Sequence, residues 1–372
     1  MTRKSVAVLA LCLFALVVPP LPAQDEYRPL DRAERGSEPA VDLYGRVSEL
    51  LLEAVRPAFS REAKVLVIPV EYPDVRGTTS VEEIRDHFFG EKAESLAGYY
   101  REQSSGRCKI TGEVHPWVRA RLPRRWLEPV PSPLGADLYF PLLLETLLTE
   151  EEKERVAEFD VVVFVIAGAR VTRWMSLLWP HEGPIPFGGK VLQKIVTDER
   201  SAPDQGFSFQ TLHHEFGHAL GIPDKYCYLA ALGIEHDCQI EGVGTHCLMG
   251  WGTSPCPWCR IELGWTEPAI LRWGLEQRLR LSPSEKGGRV AKIYLGTRAR
   301  YLLLAYHEGE LRVWRIGEPW RRFENHVFWA DMECLVAAAP DPAASHALPG
   351  GIRIDEVRAG EDGDLRLRLS FE

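Results

Sequence analysis

Apolar residues run almost unbroken through Lys64-Val-Leu-Val-Ile-Pro-Val-Glu-Tyr72 and Asp160-Val-Val-Val-Phe-Val-Ile-Ala-Gly168. Short continuous runs rich in β-branched residues suit strands covered on both faces. A shorter third run covers 190–197. Helical spacing marks Val81–Phe89, 93–103, most of 137–159, and 207–220, the last ended by Gly221 and Pro223. Residues 108–118 alternate as a strand, and a helix is expected at 41–55. Beyond Trp265 the texture changes. Arg278-Leu-Arg-Leu-Ser, Arg300-Tyr-Leu-Leu-Leu-Ala-Tyr and Asp364-Leu-Arg-Leu-Arg-Leu-Ser alternate like half-exposed strands, and helical segments are few. The pattern predicts an α+β chain. A mixed, twisted sheet with helices occupies 60–266, and a small, mostly β, sandwich-like domain occupies 267–372.

The N-terminus follows another pattern. Arg3 and Lys4 precede an apolar run at 6–18, which Pro19, Pro20 and Pro22 break. That run is shorter than the roughly 20 residues a bilayer requires. Leu21-Pro22-Ala23 resembles a signal-peptidase site, so 1–23 reads as a signal peptide cleaved near Ala23, and 24–59 as a short pro-segment or linker. The mature protein is expected to be secreted or periplasmic, with no membrane contact.

Composition narrows the classes. The chain has 372 residues, 45% hydrophobic and 26% charged, which excludes disorder, collagen and coiled coil as descriptions of the whole. A net charge of −9 gives no global electrostatic reason to bind nucleic acid. Cys12 falls in the signal. Cys108, Cys227, Cys238, Cys247, Cys256, Cys259 and Cys334 remain, an odd number crowded between 227 and 259. In an oxidising compartment, disulfides are expected to staple that loop-rich region.

The chemistry concentrates in His213-His-Glu-Phe-Gly-His-Ala-Leu-Gly-Ile-Pro-Asp224. His214, Glu215 and His218 form H-E-x-x-H. Residues four apart on a helix share a face, so both imidazoles can meet one Zn²⁺. Glu215 can reach the water that such a metal activates and serve as general base. Gly221 permits a sharp turn after the helix, and Asp224 can swing back as third ligand. The full pattern, H-E-x-x-H-x-x-G-x-x-D, is the extended metzincin motif with Asp replacing the third His. Met249, in Cys247-Leu-Met-Gly250, is the candidate Met-turn residue. His213 is read as a supporting or surface group.

The chain resembles the immune inhibitor A-like secreted metallopeptidases of bacteria. KVLVIPVEYPD (64–74), SLAGYYREQSSG (95–106), the 160–168 run, HEFGHALGIPDKY (214–226), LMGWG (248–252) and IELGW (261–265) carry the resemblance over roughly 60–266. It implies a metzincin-like fold and a secreted zinc endopeptidase acting on protein or peptide. His214, His218 and Asp224 would be zinc ligands and Glu215 the general base. The chain departs from the family in its short pre-domain, which contains no Cys in 24–60 and so excludes a cysteine switch there.

Other readings coexist. Glu235 or Glu241 could replace Asp224 as third ligand. Tyr226 and His246 are candidate stabilisers of the transition state. Extended substrate is expected to pair with a sheet edge formed by 190–197. Bound Ca²⁺ is conceivable without a calcium-loop motif. Cys256-Pro-Trp-Cys259 resembles a thiol–disulfide oxidoreductase motif, although a structural disulfide is the simpler account. A second, structural zinc on Cys238, Cys247, Cys256 and Cys259 is less natural in an exported protein. A catalytically silent, protease-like binding module is the alternative from a different class.

Overall fold

A computed structural model describes residues 62–173, 176–225, 243–295, 297–317, 321–323, 326–328 and 332–371. The expected signal peptide, the pro-segment and the helix at 41–55 lie outside them. The fold is mixed α+β. Its larger sheet contains β1 (Glu62–Glu71), β2 (Lys109–Val114), β3 (Val118–Arg119), β4 (Val161–Ala169), β5 (His181–Phe187) and β6 (Lys190–Arg200). The order is β2-β1-β4-β6-β5, with β3 beside the end of β1. All neighbours are parallel except β5, which runs antiparallel to β6 at the edge.

The apolar runs have the expected cause. One face of the sheet, with Leu66, Ile68, Val162, Phe164 and Ile166, packs on Phe140, Leu143 and Leu144 of α4 (Ser132–Leu147). The other, with Val65, Val67, Val163, Val165 and Ile195, meets α1 (Val81–Phe89), α2 (Leu96–Gln103) and α6 (Phe209–Ala219). α3 (Arg124–Leu127) and α5 (Glu150–Val156) lie along the chain on either side of α4. The helical stretch expected over 137–159 divides at Thr149. That residue caps α5 through a reciprocal capping box with Glu152. The strand expected at 108–118 also divides, into β2 and β3, around His115-Pro116-Trp117.

One expectation about the sheet is corrected. Residues 190–197 do not form an edge, because β6 is enclosed between β4 and β5. β5 escaped the pattern reading because Gly183, Pro184 and Pro186 erase its strand signal. Proline cannot donate to a ladder and is tolerated at an edge.

α7 (Pro257–Glu262) leads to two further sheets. β14 (Met332–Ala338), β11 (Glu310–Ile316), β10 (Thr297–His307), β9 (Ala291–Leu295) and β7 (Ala269–Ile270) form one, in that order. β15 (Ser345–Leu348), β16 (Ile352–Ala359), β17 (Leu365–Phe371) and β8 (Gln277–Leu281) form the other, while β12 (Arg321–Phe323) and β13 (His326–Phe328) pair alone. Leu302, Leu304, Val313, Ile354, Leu367 and Leu369 share one core between these sheets. β10 does not alternate as expected. Tyr301, Leu303 and Ala305 on its other face are also buried, against a core that contains Trp258 and Trp265. Among the described residues, no helix is long and apolar enough to cross a membrane.

Candidate active site

Ser208 caps α6 by accepting a hydrogen bond from the Thr211 N–H. Leu212, Phe216 and Ala219 bury the helix's inner face, which turns His214 and His218 to the other side. The helix ends in a Schellman turn. Gly221 N–H donates to His218 O at 2.7 Å, and Ile222 N–H to Gly217 O at 3.1 Å. Gly221 takes φ 91°, a conformation that disfavours any side chain. The chain then reverses and delivers Asp224 to the two histidines.

The convergence is close. His214 Nε2 and His218 Nε2 are 3.2 Å apart. Asp224 Oδ1 lies 3.0 Å from the first and 3.2 Å from the second. Nδ1 of His214 is 2.9 Å from Leu248 O, and Nδ1 of His218 is 2.9 Å from Ile222 O. A carbonyl can only accept, so both Nδ1 atoms carry hydrogen. In the neutral rings both Nε2 atoms therefore present lone pairs, aimed at each other and at a carboxylate oxygen. Such a group needs a cation. Tetrahedral zinc with bonds of about 2.0–2.1 Å would space its ligand atoms about 3.3 Å apart. The three residues can thus hold a metal ion.

The electrostatics express the same demand. Burial opposes charge on His218, but the Asp224 carboxylate outweighs it and lifts the ring to about 10. Burial likewise opposes charge on Asp224, yet the two imidazoles hold its carboxyl far below the usual range. Glu215, also buried, is pushed above the ordinary carboxylate value by desolvation, with Asp224 adding repulsion and the histidines opposing it. Glu182 of β5, only half-buried by accessible surface, is pushed up to about 7, first by desolvation. It pairs with Ile195, which belongs to the core on the α6 side of the sheet, and it senses His218, Glu215 and Asp224. Sequence reading missed Glu182 because nothing marked β5 as a strand.

Met249 sits beneath this group. It is fully buried, and a Cβ added to Gly217 would lie 2.6 Å from its sulfur. Its carbonyl accepts from Lys225 N–H at 2.6 Å. Met249 is therefore wedged between the active helix and the turn bearing Asp224. His213 is not at the surface. It is buried, stacks on Tyr99 at 3.8 Å and donates from Nε2 to Glu94 O at 3.1 Å. Tyr100 donates to the His213 carbonyl at 2.6 Å. His246 meets Arg312 at 3.0 Å and Glu308 at 3.4 Å. Tyr226, Glu235 and Glu241 lie outside the described residues.

The cysteines differ from the expected cystines. Cys108, Cys247, Cys256, Cys259 and Cys334 are free thiols, while Cys227 and Cys238 lie outside the described residues. Cys256 and Cys259 are fully buried, which denies them the access a dithiol oxidoreductase needs. Neither a family model nor a curated protein matches this chain.

Proposed function

We propose that the protein is a secreted zinc endopeptidase of the metzincin type, with His214, His218 and Asp224 as ligands and Glu215 as general base. The convergence of two Nε2 atoms and one carboxylate oxygen within 3.2 Å supports this reading. Bound zinc would supply Lewis acidity and a water acidified to a pKa of about 7. The chain's residues do the rest. The Leu248 and Ile222 carbonyls fix the ligand tautomers. Glu215 takes a proton as water attacks the peptide carbonyl and returns it to the leaving amine. Its raised pKa brings it nearer to neutrality, where a group that both accepts and donates works best.

β5 offers a template for extended substrate, replacing 190–197 in that role. On an edge strand Pro184 and Pro186 belong on the outward side of the ladder, where a missing N–H costs no bond. Glu182 shares their parity. The outward face at 182–186 would then donate only from Glu182 N–H and accept at the carbonyls of 182, 184 and 186. Substrate would be gripped mainly through its own N–H groups, next to the metal.

The test is zinc titration with peptide cleavage on wild type and Glu215→Gln. Expected are bound zinc in both and loss of cleavage in the variant by a factor of at least ~10². Unchanged cleavage in the variant would remove Glu215 from its role. A zinc-binding wild type that cleaves nothing in a denatured protein library would favour the silent binding module.

A further inference from the structure

Cys247, Cys256 and Cys259 are all fully buried and bring their sulfurs together just behind the active-site turn. Cys259 Sγ lies 3.6 Å from Cys247 Sγ and 3.6 Å from Cys256 Sγ. Zinc–sulfur bonds of about 2.3 Å in a tetrahedron place neighbouring sulfurs about 3.8 Å apart. A disulfide needs about 2.05 Å. We propose that these three thiols are a second, structural zinc site, separate from the His214–His218–Asp224 group.

Three observations join the spacing. Cys256 and Cys259 form a C-x-x-C pair, a loop that suits two ligands to one zinc. Cys256 N–H donates to Cys247 Sγ at 3.4 Å, a bond that favours the thiolate. Two fully buried cations also flank the sulfurs. Lys225 Nζ sits 3.3 Å from the Trp258 ring centroid and, among the described residues, finds no hydrogen-bond acceptor. Among the described residues Arg260 bonds only to neutral groups: Pro255 O at 3.1 Å, Gln103 O, Gln103 Oε1 at 2.5 Å and Glu285 O at 2.9 Å. Neither cation forms a carboxylate salt bridge among the described residues. Buried charge is costly unless compensated. Three thiolates on one divalent ion carry one net negative charge, which would offset part of the charge of these two cations; neutral thiols would offset none of it.

Loading the site needs no oxidant. Three S–H protons pass to solvent and three S–Zn bonds form. A cystine would instead require an external two-electron oxidant, would consume two sulfurs and would strand the third. Soft thiolate ligands favour zinc over magnesium or calcium. The role is mechanical, because Cys247 directly precedes Leu248 and Met249, which orient His214 and underlie α6.

The full-length wild type and two variants, His218→Ala and Cys259→Ser, are compared by elemental analysis. The wild type should carry two zinc ions per chain and His218→Ala one. An organomercurial should release one zinc from wild type and from His218→Ala. Cobalt loaded into His218→Ala should show a thiolate-to-metal charge-transfer band. The idea is overturned if His218→Ala holds no metal, if the mercurial releases none, or if non-reducing peptide mapping finds a cystine among the three positions. Should Cys259→Ser fail to fold, the mercurial result on wild type decides. A wild type that carries a single zinc, released by the mercurial and retained in His218→Ala, would count against the peptidase and not against the thiol site.

Discussion

Replacing Gly217 by alanine tests whether Met249 really supports the ligand helix. In a helix interior the change should gain about 1 kcal/mol of propensity. Here the new Cβ would lie 2.6 Å from Met249 Sδ and 3.5 Å from Tyr100 Oη. Ordinary contact between such atoms needs about 1 Å more than the sulfur allows. Met249 is fully buried and its carbonyl is anchored to Lys225 N–H, so it cannot simply turn outward. Overpacking of this kind costs about 1–3 kcal/mol, leaving a net stability loss of about 0–2 kcal/mol. Metal affinity should suffer more, because Leu248, whose carbonyl orients His214, is the neighbour of Met249. Loss of such outer support costs about 10–100-fold. Shortening Met249 to alanine removes the clash, so Gly217→Ala should become favourable in that background. Urea unfolding of the four proteins in the cycle should give a coupling energy of about 1–3 kcal/mol, and chelator competition should report the affinities. Additivity within about 0.5 kcal/mol would refute the wedge, since non-contacting sites behave so.

Three other outcomes follow from buried polar groups. Burial pushes Asp198 up to about 6, despite Arg170 Nε 2.9 Å away. A raised folded-state pKa means the folded chain binds more protons between about pH 4 and 6, so stability falls as pH rises through that window. Asp198→Asn should remove about 2–3 kcal/mol of that slope, read by denaturation at both ends. Burial lowers His213 to about 4, so its contribution runs oppositely and stability is lost as pH falls from about 6.5 towards 4. His213→Phe should be about 1 kcal/mol less stable than wild type at pH 7, having lost the bond to Glu94 O, and more stable than wild type near pH 4. Arg260→Leu strands the acceptors on Pro255, Gln103 and Glu285. It should cost roughly 3 kcal/mol or more by denaturant titration.

The parts legible in the sequence are those set by local geometry. Spacing on one helix places His214 beside His218, and Gly221 announces the turn that returns Asp224. The long apolar runs of β1 and β4 likewise report a sheet covered on both sides. What stayed hidden depends on neighbours distant in the chain. β5 carries two prolines and a glycine, so its strand character comes from pairing with β6, and Glu182 acquires its place near His218 and Glu215 only through that pairing. β10 reads as half-exposed until the sheet of β16 and β17 covers one face and the region of α7 covers the other. The cysteine spacing permitted several pairings, and only the folded arrangement shows which sulfurs meet.

The two proposed metal groups share backbone. Asp224 and Lys225 are adjacent; the first would ligate beside the histidines, and the second packs on the ring of Trp258, which lies between Cys256 and Cys259 in the chain. Cys247 and Leu248 are adjacent in the same way, and Lys225 N–H is tied to Met249 O at 2.6 Å. Ordering either end of these dipeptides orders the other, so filling the thiol site should tighten the His214–His218–Asp224 site. The factor should be at least that of an outer-shell partner, about 10-fold. Thermodynamic linkage demands reciprocity, so the His site, once filled, must tighten the thiol site by the same factor. Zinc titrations in both orders, with an organomercurial blocking one site or His218→Ala disabling the other, measure the two factors separately. Equal factors above one support a shared backbone lever. Affinities that ignore each other would show that the turn is rigid without either metal, and the mechanical role given to Cys247 would fall.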